Sequence, residues 1–285
     1  MKTLNEYKAR LEAYLNALPI LGAPDRLRSA MRYSLLAGGK RLRGCLLLAA
    51  ADLAGGESEQ ALPFAAALEM THAYSLIHDD LPAMDNDTLR RGKPTNHVVY
   101  GEAVAILAGD ALLTHAFEIM LNSGHPRALP AMREIAAAAG VGGMLSGQTL
   151  DVTNEGSAPD IALVQKIHEG KTAALLTAPV TAGLILGGAD EQLIETGRAY
   201  GYHLGMAFQI VDDLLDLEGD PALMGKTLGK DAAEGKLTWP ACVGEAQARI
   251  DAEQHIRAAA DAFSSCGGEA GFFRELALST LNRNT

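Results

Sequence analysis

The stretch from His72 to Asn96, H-A-Y-S-L-I-H-D-D-L-P-A-M-D-N-D-T-L-R-R-G-K-P-T-N, sets acids and bases side by side at the end of an apolar run. Asp79, Asp80 and Asp85 close that run, Asp87 follows, and the sign then reverses to Arg90, Arg91 and Lys93. Clustered carboxylates bind hard divalent cations through oxygen, and Mg²⁺ typically takes one or two of them plus phosphate oxygens. Adjacent arginines supply forked donors matched to phosphate. Taken alone, a solvated charged loop at a helix end would carry the same residues. A second cluster weighs against that reading. Phe208 to Asp216 reads F-Q-I-V-D-D-L-L-D, which places Gln209, Asp212, Asp213 and Asp216 at i, i+3, i+4 and i+7 on one helix face. Carboxylates so placed repel one another, and something positive must compensate. Two separated acid clusters in an apolar helical context suggest a metal-diphosphate site shared between facing helices.

The elements that must position these residues are helices. The chain has 285 residues and no Pro/Ser-rich linker, which reads as one domain over 1–285. Hydrophobic residues are 48% and aromatics 5%, so Ala, Leu, Ile and Val must fill the core, and Ala and Leu lead the helix propensity order. An all-α fold follows. Helices are expected near 3–18, 25–37, 41–54, 60–80, 97–122, 127–150, 160–187, 190–217, 237–263 and 269–281, with glycine pairs as stops and Pro24 and Pro159 at first helical positions. No strand is predicted. The polar loops are Asp151 to Asp160 and the Gly- and Lys-rich Glu218 to Lys236, the latter suited to phosphate although its G-K-T lacks the strand context of a P-loop.

A net charge of −11 excludes a nucleic-acid partner held by a basic surface. Cys45, Cys242 and Cys266 show no metal-ligand spacing and suit a reducing cytosol. The charged N-terminus lacks a signal-peptide core, so no export is implied. Thr172 to Ala189 is uncharged and approaches membrane-spanning length, but Pro179, Gly183, Gly187, Gly188 and its threonines interrupt it. It reads, like Ile135 to Leu150, as a central helix buried all round, and no membrane span is expected.

Three smaller motifs remain. Gly38 to Arg43, G-G-K-R-L-R, gathers positive charge at a turn, which a helix end followed by a basic start would also explain. Gly147 to Asp151, G-Q-T-L-D, puts Gln148 and Asp151 on one face, where an acid could orient a lysine. Lys171 opens the long uncharged helix, where a lysine is costly unless paired, and Gly170 weakens the backbone ladder beside it.

The pair D-D-x-x-x-x-D and D-D-x-x-D, with R-R-G-K-P-T after the first, resembles the trans-isoprenyl diphosphate synthases, most closely the bacterial farnesyl diphosphate synthases, over about Tyr33 to Pro240. The resemblance implies a single-domain antiparallel helical bundle around a central active-site cavity, cytoplasmic and homodimeric, with isoprenoid diphosphates as small-molecule substrates. It assigns Lys40, Arg43, His72 and Arg91 to the diphosphate of isopentenyl diphosphate, and Arg90, Lys171, Lys226 and Lys236 to the allylic diphosphate. It implies about three Mg²⁺ ions per active site, with Mn²⁺ as a substitute. Their ligands would be Asp79, Asp85 and Asp212, with Asp80, Asp213 and Asp216 in support. The Thr172 carbonyl and the Gln209 side chain would stabilise a carbocation, and Tyr74, with Ser75 beside it, would close the product tunnel at the length of farnesyl diphosphate. Asn86 departs from relatives that often carry Asp there, and neither Lys230 nor Arg283 has an assigned role.

Other classes fit fewer residues. His78-Asp79 is shared with HD-type phosphohydrolases, which need further metal-binding histidines. A class I terpene cyclase would carry an Asn/Asp, Ser/Thr, Glu motif where this chain has D-D-L-L-D. A noncatalytic regulatory subunit typically loses acids from one cluster, and both clusters are intact.

Overall fold

The computed structural model describes residues 1–218 and 235–280. The first helices are α1 (Leu4–Ala17), α2 (Asp25–Leu35), α3 (Leu42–Leu53) and α4 (Leu62–Asp79). After a short hairpin come α5 (Asn96–Tyr100), α6 (Glu102–Leu121), α7 (Ala128–Ala139), α8 (Met144–Thr153) and α9 (Ile161–His168). A π turn (Glu169–Ala173) joins α9 to α10 (Ala174–Gly187), and α11 (Glu191–Glu218) follows. The remainder is α12 (Trp239–Val243), α13 (Glu245–Ala262), a 3₁₀ turn (Ser264–Ala270) and α14 (Gly271–Ser279).

Composition explains why α3, α4 and α10 lie at the centre. Each is apolar nearly all round, and each buries residues on every face, α3 continuously from Gly44 to Ala51. α3 lies against α1, α4 and α10, α4 against α6, and α11 between α10 and α13. At the N-terminus Thr3 and Glu6 form a capping box, and Lys2 and the Tyr7 hydroxyl converge on Asp52 of α3 at 2.9 and 2.7 Å.

Close approach of α11 to α10 depends on Gly197, Gly201 and Gly205, spaced four apart on one face. A Cβ at Gly201 would meet Thr177 Cα and one at Gly205 would meet Ala173 Cα. One further turn along the same face is Gln209.

The structure departs from the sequence-based expectations in several places. Leu89–Arg90 and Lys93–Pro94 pair antiparallel, Arg90 opposite Lys93, around a turn in which Arg91 (φ 53°) and Gly92 (φ 71°) are both left-handed. The helix expected over 127–150 is broken by Gly140, Gly142 and Gly143, and those over 97–122 and 237–263 are interrupted at Gly101 and Gly244, both at positive φ. Pro24 is the N-cap of α2 instead of its first residue, and Pro159 precedes the Asp160 cap of α9. The last helix begins at Gly271, after the 3₁₀ turn. Two stretches among the described residues are long and apolar enough to cross a membrane by length and composition, Glu102–Leu121 and Ile161–Gly187. The second is largely buried in the core, as expected for Thr172 to Ala189. The first, which the sequence reading did not single out, packs on α4 and leaves Ile106 and Leu107 exposed.

Candidate active site

The spacing of the first acid cluster becomes intelligible at the end of α4. Asp79 is its last residue and Asp80 its cap, and the chain then turns back so that the Asp85 amide donates to Asp79 O at 2.9 Å. Asn86 takes a left-handed conformation (φ 51°) to allow this, a role an asparagine fills readily. The four residues between Asp80 and Asp85 thus form the turn that sets the Asp85 backbone against that of Asp79. Burial pushes the Asp79 carboxyl up to about 6, against the pull of Lys171 and reinforced by Asp85 and Asp80. Asp80, 3% exposed, has a different partner: its Oδ1 accepts from Arg90 Nε and Nη2, each at 2.7 Å. Burial raises Asp80 as well, with Arg90 opposing.

Facing this cluster is the π turn, where the Ala174 amide reaches back to Glu169 O. π turns of this kind recur at functional sites. Gly147 of α8 and Gly170 cross here in backbone contact, a Cβ on Gly170 falling 2.8 Å from the Gly147 amide nitrogen. That crossing brings Asp151, one turn beyond Gly147, to Lys171: Nζ donates to Asp151 Oδ2 at 2.5 Å. Burial works against the Lys171 charge, but Asp151, Asp79 and Asp85 together overcome it and raise its pKa. The next residue turns the other way. Thr172 Oγ1 donates to Gln209 Oε1 at 2.6 Å, and Gln209 Nε2 donates to Asp213 Oδ1 at 3.0 Å. Consecutive side chains of the π turn therefore connect the two acid clusters. Lys236 also reaches the first cluster, 3.4 Å from Asp85 Oδ1. Asp212 and Asp216 are half-buried on α11. Lys226 and Lys230 lie outside the described residues, as does Arg283.

The basic residues gather on the far side of α4. A cavity there is lined by Arg41, Glu69, His72, Asp80, Arg90 and Arg91, among others. Arg41 lines it where the motif had pointed to Lys40 and Arg43; Lys40 is exposed at the turn and Arg43 half-buried beside it. Arg41 has a left-handed backbone (φ 53°), 7% exposure, and a hydrogen bond to Leu35 O at 2.7 Å. Burial, then Arg43, Arg91, Arg90 and Arg41, hold the His72 imidazole well below 6.5, so it is neutral with one N–H to give. Arg43 is lowered to about 10 by burial, opposed by Glu69 and reinforced by Arg91. Arg91 donates to Gly38 O and covers Gly39, where a Cβ would lie 2.6 Å from its Nη1. The two glycines before Lys40 therefore accommodate Arg91.

Glu69 escaped sequence reading. It is 4% exposed, accepts the Gly44 N–H at 3.0 Å, and lies 3.5 Å from Arg41 Nη1. The signal was present: Glu69 is the one acid between Glu59 and Asp79, three residues before His72. Tyr74 is 4% exposed with its ring edge-on to His78 at 5.8 Å, and Ser75 Oγ donates to His72 O at 3.0 Å.

This arrangement fits a hard divalent cation and a diphosphate together. Among the described residues no three His, Cys, Asp or Glu side chains close a cage around one ion. Open oxygen sites are what Mg²⁺ uses when phosphate completes its shell. Asp79, Asp80 and Asp85 stand together at the end of α4, and Asp79 is buried there so that its charged form is disfavoured without a further counter-charge, which a cation would supply. On the basic side, Arg41 Nε lies 3.5 Å from Glu12 Oε1, while the buried Nε of Arg43 has no hydrogen-bond partner, a donor an anion would satisfy.

A family model described as polyprenyl synthetase matches residues 24–266. The chain is 46% identical over 262 residues to a farnesyl diphosphate synthase of Geobacillus stearothermophilus, covering 90% of this chain and 88% of that one. It is 48% identical over 255 residues to the large subunit 1 of a chloroplastic heterodimeric geranylgeranyl pyrophosphate synthase of Arabidopsis thaliana, covering 86% and 68%. Among solved structures, a geranyltransferase of Helicobacter pylori complexed with magnesium and isoprenyl diphosphate superposes with TM-score 0.85 at 30% identity, covering 98% and 95%.

Proposed function

We propose, from the premise that this chain belongs to the polyprenyl synthetase family and is a prenyltransferase, that it joins isopentenyl diphosphate head to tail to dimethylallyl and then geranyl diphosphate and stops at farnesyl diphosphate. The family is Mg²⁺-dependent, and the residues that would hold the cation here are Asp79, Asp85 and Asp212, with Asp80 and Asp216 in support. Bound there, Mg²⁺ would supply Lewis-acid neutralisation of the leaving diphosphate.

The rest is done by the chain's own groups. Lys171, Arg90 and Lys236 place fixed positive charge against the allylic diphosphate, where negative charge grows as its carbon–oxygen bond breaks; Lys226, outside the described residues, would add to it. Preorganised charge of this kind usually contributes the largest share of catalysis. The carbon left behind is cationic, and the Thr172 carbonyl and Gln209 side chain face it. Lys40, Arg43, His72 and Arg91 hold the second diphosphate, so that the double bond of isopentenyl diphosphate attacks the cationic carbon. The proton then leaves with the departing diphosphate, in keeping with an imidazole at His72 that is neutral and ringed by arginines.

The observation that carries the farnesyl reading is Tyr74, a buried aromatic five residues before Asp79 on α4. A geranylgeranyl product is the second reading, since relatives of that name are as similar as those named for farnesyl diphosphate. Chromatography of the products from dimethylallyl and isopentenyl diphosphates with Mg²⁺ decides. A fifteen-carbon end product is expected, and a twenty-carbon one would remove the farnesyl assignment while keeping prenyl transfer. The enzyme acts as a cytoplasmic homodimer in this proposal, and the apolar residues Ile106 and Leu107 exposed on α6 support the dimer alone.

A further inference from the structure

We propose that Asp213 is a positioning residue and not a cation ligand: it locks the Lys236–Trp239 segment and the π turn onto α11. The inference rests on the prenyltransferase site described above.

Asp213 is 4% exposed, whereas Asp212 and Asp216 on the same helix are half-buried. Its acceptor capacity is already committed. Oδ1 accepts from Gln209 Nε2 at 3.0 Å, and Oδ2 accepts the Trp239 backbone N–H at 2.8 Å while lying 3.3 Å from His168 Nε2. That accounts for three of the roughly four lone-pair positions of a carboxylate. His168 is 3% exposed and its ring stacks on Trp239 at 5.6 Å and 24°. Its other nitrogen, Nδ1, is buried without a partner, which suits the tautomer that carries the proton on Nε2 and donates to Asp213. Trp239 is held at its other end, Nε1 donating to Asp251 Oδ2 of α13 at 2.8 Å.

One carboxylate thus joins three segments. His168 immediately precedes the π turn, Gln209 receives the Thr172 hydroxyl, and Trp239 stands three residues after Lys236, which reaches Asp85. Turning Asp213 toward a cation would strip the buried Trp239 N–H of its acceptor and release Lys236 and Thr172 together. A helix face with acids at i, i+1 and i+4 therefore divides its work, the outer acids half-buried and the middle one committed to the protein.

Trp239 is the only tryptophan in the sequence, so its fluorescence reads this joint directly. Emission and acrylamide quenching are measured on full-length, metal-free protein for wild type, Asp213→Ala, Asp213→Asn and Asp212→Asn. The Mg²⁺ concentration giving half-maximal turnover is measured for each. Asp213→Ala should red-shift the emission and increase quenching, with kcat down about 10- to 100-fold, as for residues that orient ligands. Its Mg²⁺ midpoint should stay within about twofold of wild type. Asp213→Asn should restore emission and part of kcat, because its Oδ1 can still accept from Trp239 and a flipped Gln209 can accept its amide. Asp212→Asn should raise the Mg²⁺ midpoint and leave emission unchanged. The proposal is overturned if Asp213→Asn raises that midpoint as Asp212→Asn does, or if Asp213→Ala leaves emission untouched. Should the alanine variant not fold, the asparagine variant decides by rescue against a raised midpoint. A wild type without prenyl transfer would defeat the functional reading, and the emission of the Asp213 variants would still decide this one.

Discussion

Glu69 takes the amide hydrogen of Gly44 at 3.0 Å on one carboxylate oxygen and faces Arg41 at 3.5 Å with the other. One buried negative charge thus ties the start of α3 to α4 and offsets the positive charge of Arg41, Arg43 and Arg91, which must stay close together before any diphosphate arrives. Removing it should be costly. Glu69→Ala is expected to lose about 3 to 5 kcal/mol in urea unfolding, the range for breaking a buried pair. Glu69→Gln, which can still accept from Gly44, should retain part of this and show a raised KM for isopentenyl diphosphate. A loss under about 1 kcal/mol for the alanine variant would deny Glu69 this role.

The raised pKa of Asp79 has a direct consequence for stability. In metal-free protein the native state keeps a proton that the unfolded chain releases between 3.8 and about 6. Stability therefore falls as pH rises through that window, by at most about 3 kcal/mol, and does not fall further on this account above it. Asp79→Asn should raise the melting temperature relative to wild type at pH 7 and leave it unchanged near pH 3.5. Turnover with Mg²⁺ should drop by orders of magnitude in the same variant. A melting difference that ignores pH would refute the first expectation, and activity within a few-fold of wild type would refute the second.

Arg90 and Arg91, adjacent in sequence, should separate kinetically. Arg90→Ala should impair kcat through the allylic substrate and destabilise the fold, since it leaves the buried Asp80 carboxylate unpaired. Arg91→Ala should chiefly raise KM for isopentenyl diphosphate and cost little stability. Initial rates with each substrate varied in turn make the comparison. Indistinguishable profiles would withdraw the two assignments while leaving prenyl transfer in place.

Tyr74→Ala should lengthen the products. Leu68→Ala, a fully buried position on the same helix, is the control for loosened packing, and each should cost about 2 to 5 kcal/mol. Longer prenyl diphosphates from the first variant and not the second are expected on chromatography. A folded Tyr74→Ala enzyme that still ends at farnesyl diphosphate would remove Tyr74 from chain-length control.

The acid clusters were legible because charge at the end of an apolar helix, or repeated along one face, is expensive without a counter-ion. The helices followed from Ala and Leu content, and the buried central run from Thr172 to Ala189 from its lack of charge. Other features left no comparable trace. Strands of two residues are too short for an alternating pattern to register, so the Arg90–Lys93 hairpin passed unseen. Gly101 and Gly244 each sit between helical sequences on both sides, and a turn there depends on a positive φ that composition does not reveal. Arg41, between Lys40 and Arg43, had no trace of its own, because burial and not the basic motif itself puts Arg41 at the cavity. Gln148, grouped with Asp151, has a buried Nε2 without a partner, while Asp151 does meet Lys171.

The π turn amounts to one residue added to a helix without lengthening its path, and it changes the phase between what lies before and after. His168 can then point at Asp213 while Lys171 and Thr172, so close in sequence, address opposite partners. Deleting Gly170 would restore an ordinary helical repeat and a better backbone ladder, yet α9 would be rotated against α10 by about 100°. The shortened helix would be locally sounder and the site out of register, so the irregularity is the seam where two faces of one helix are kept independently aligned.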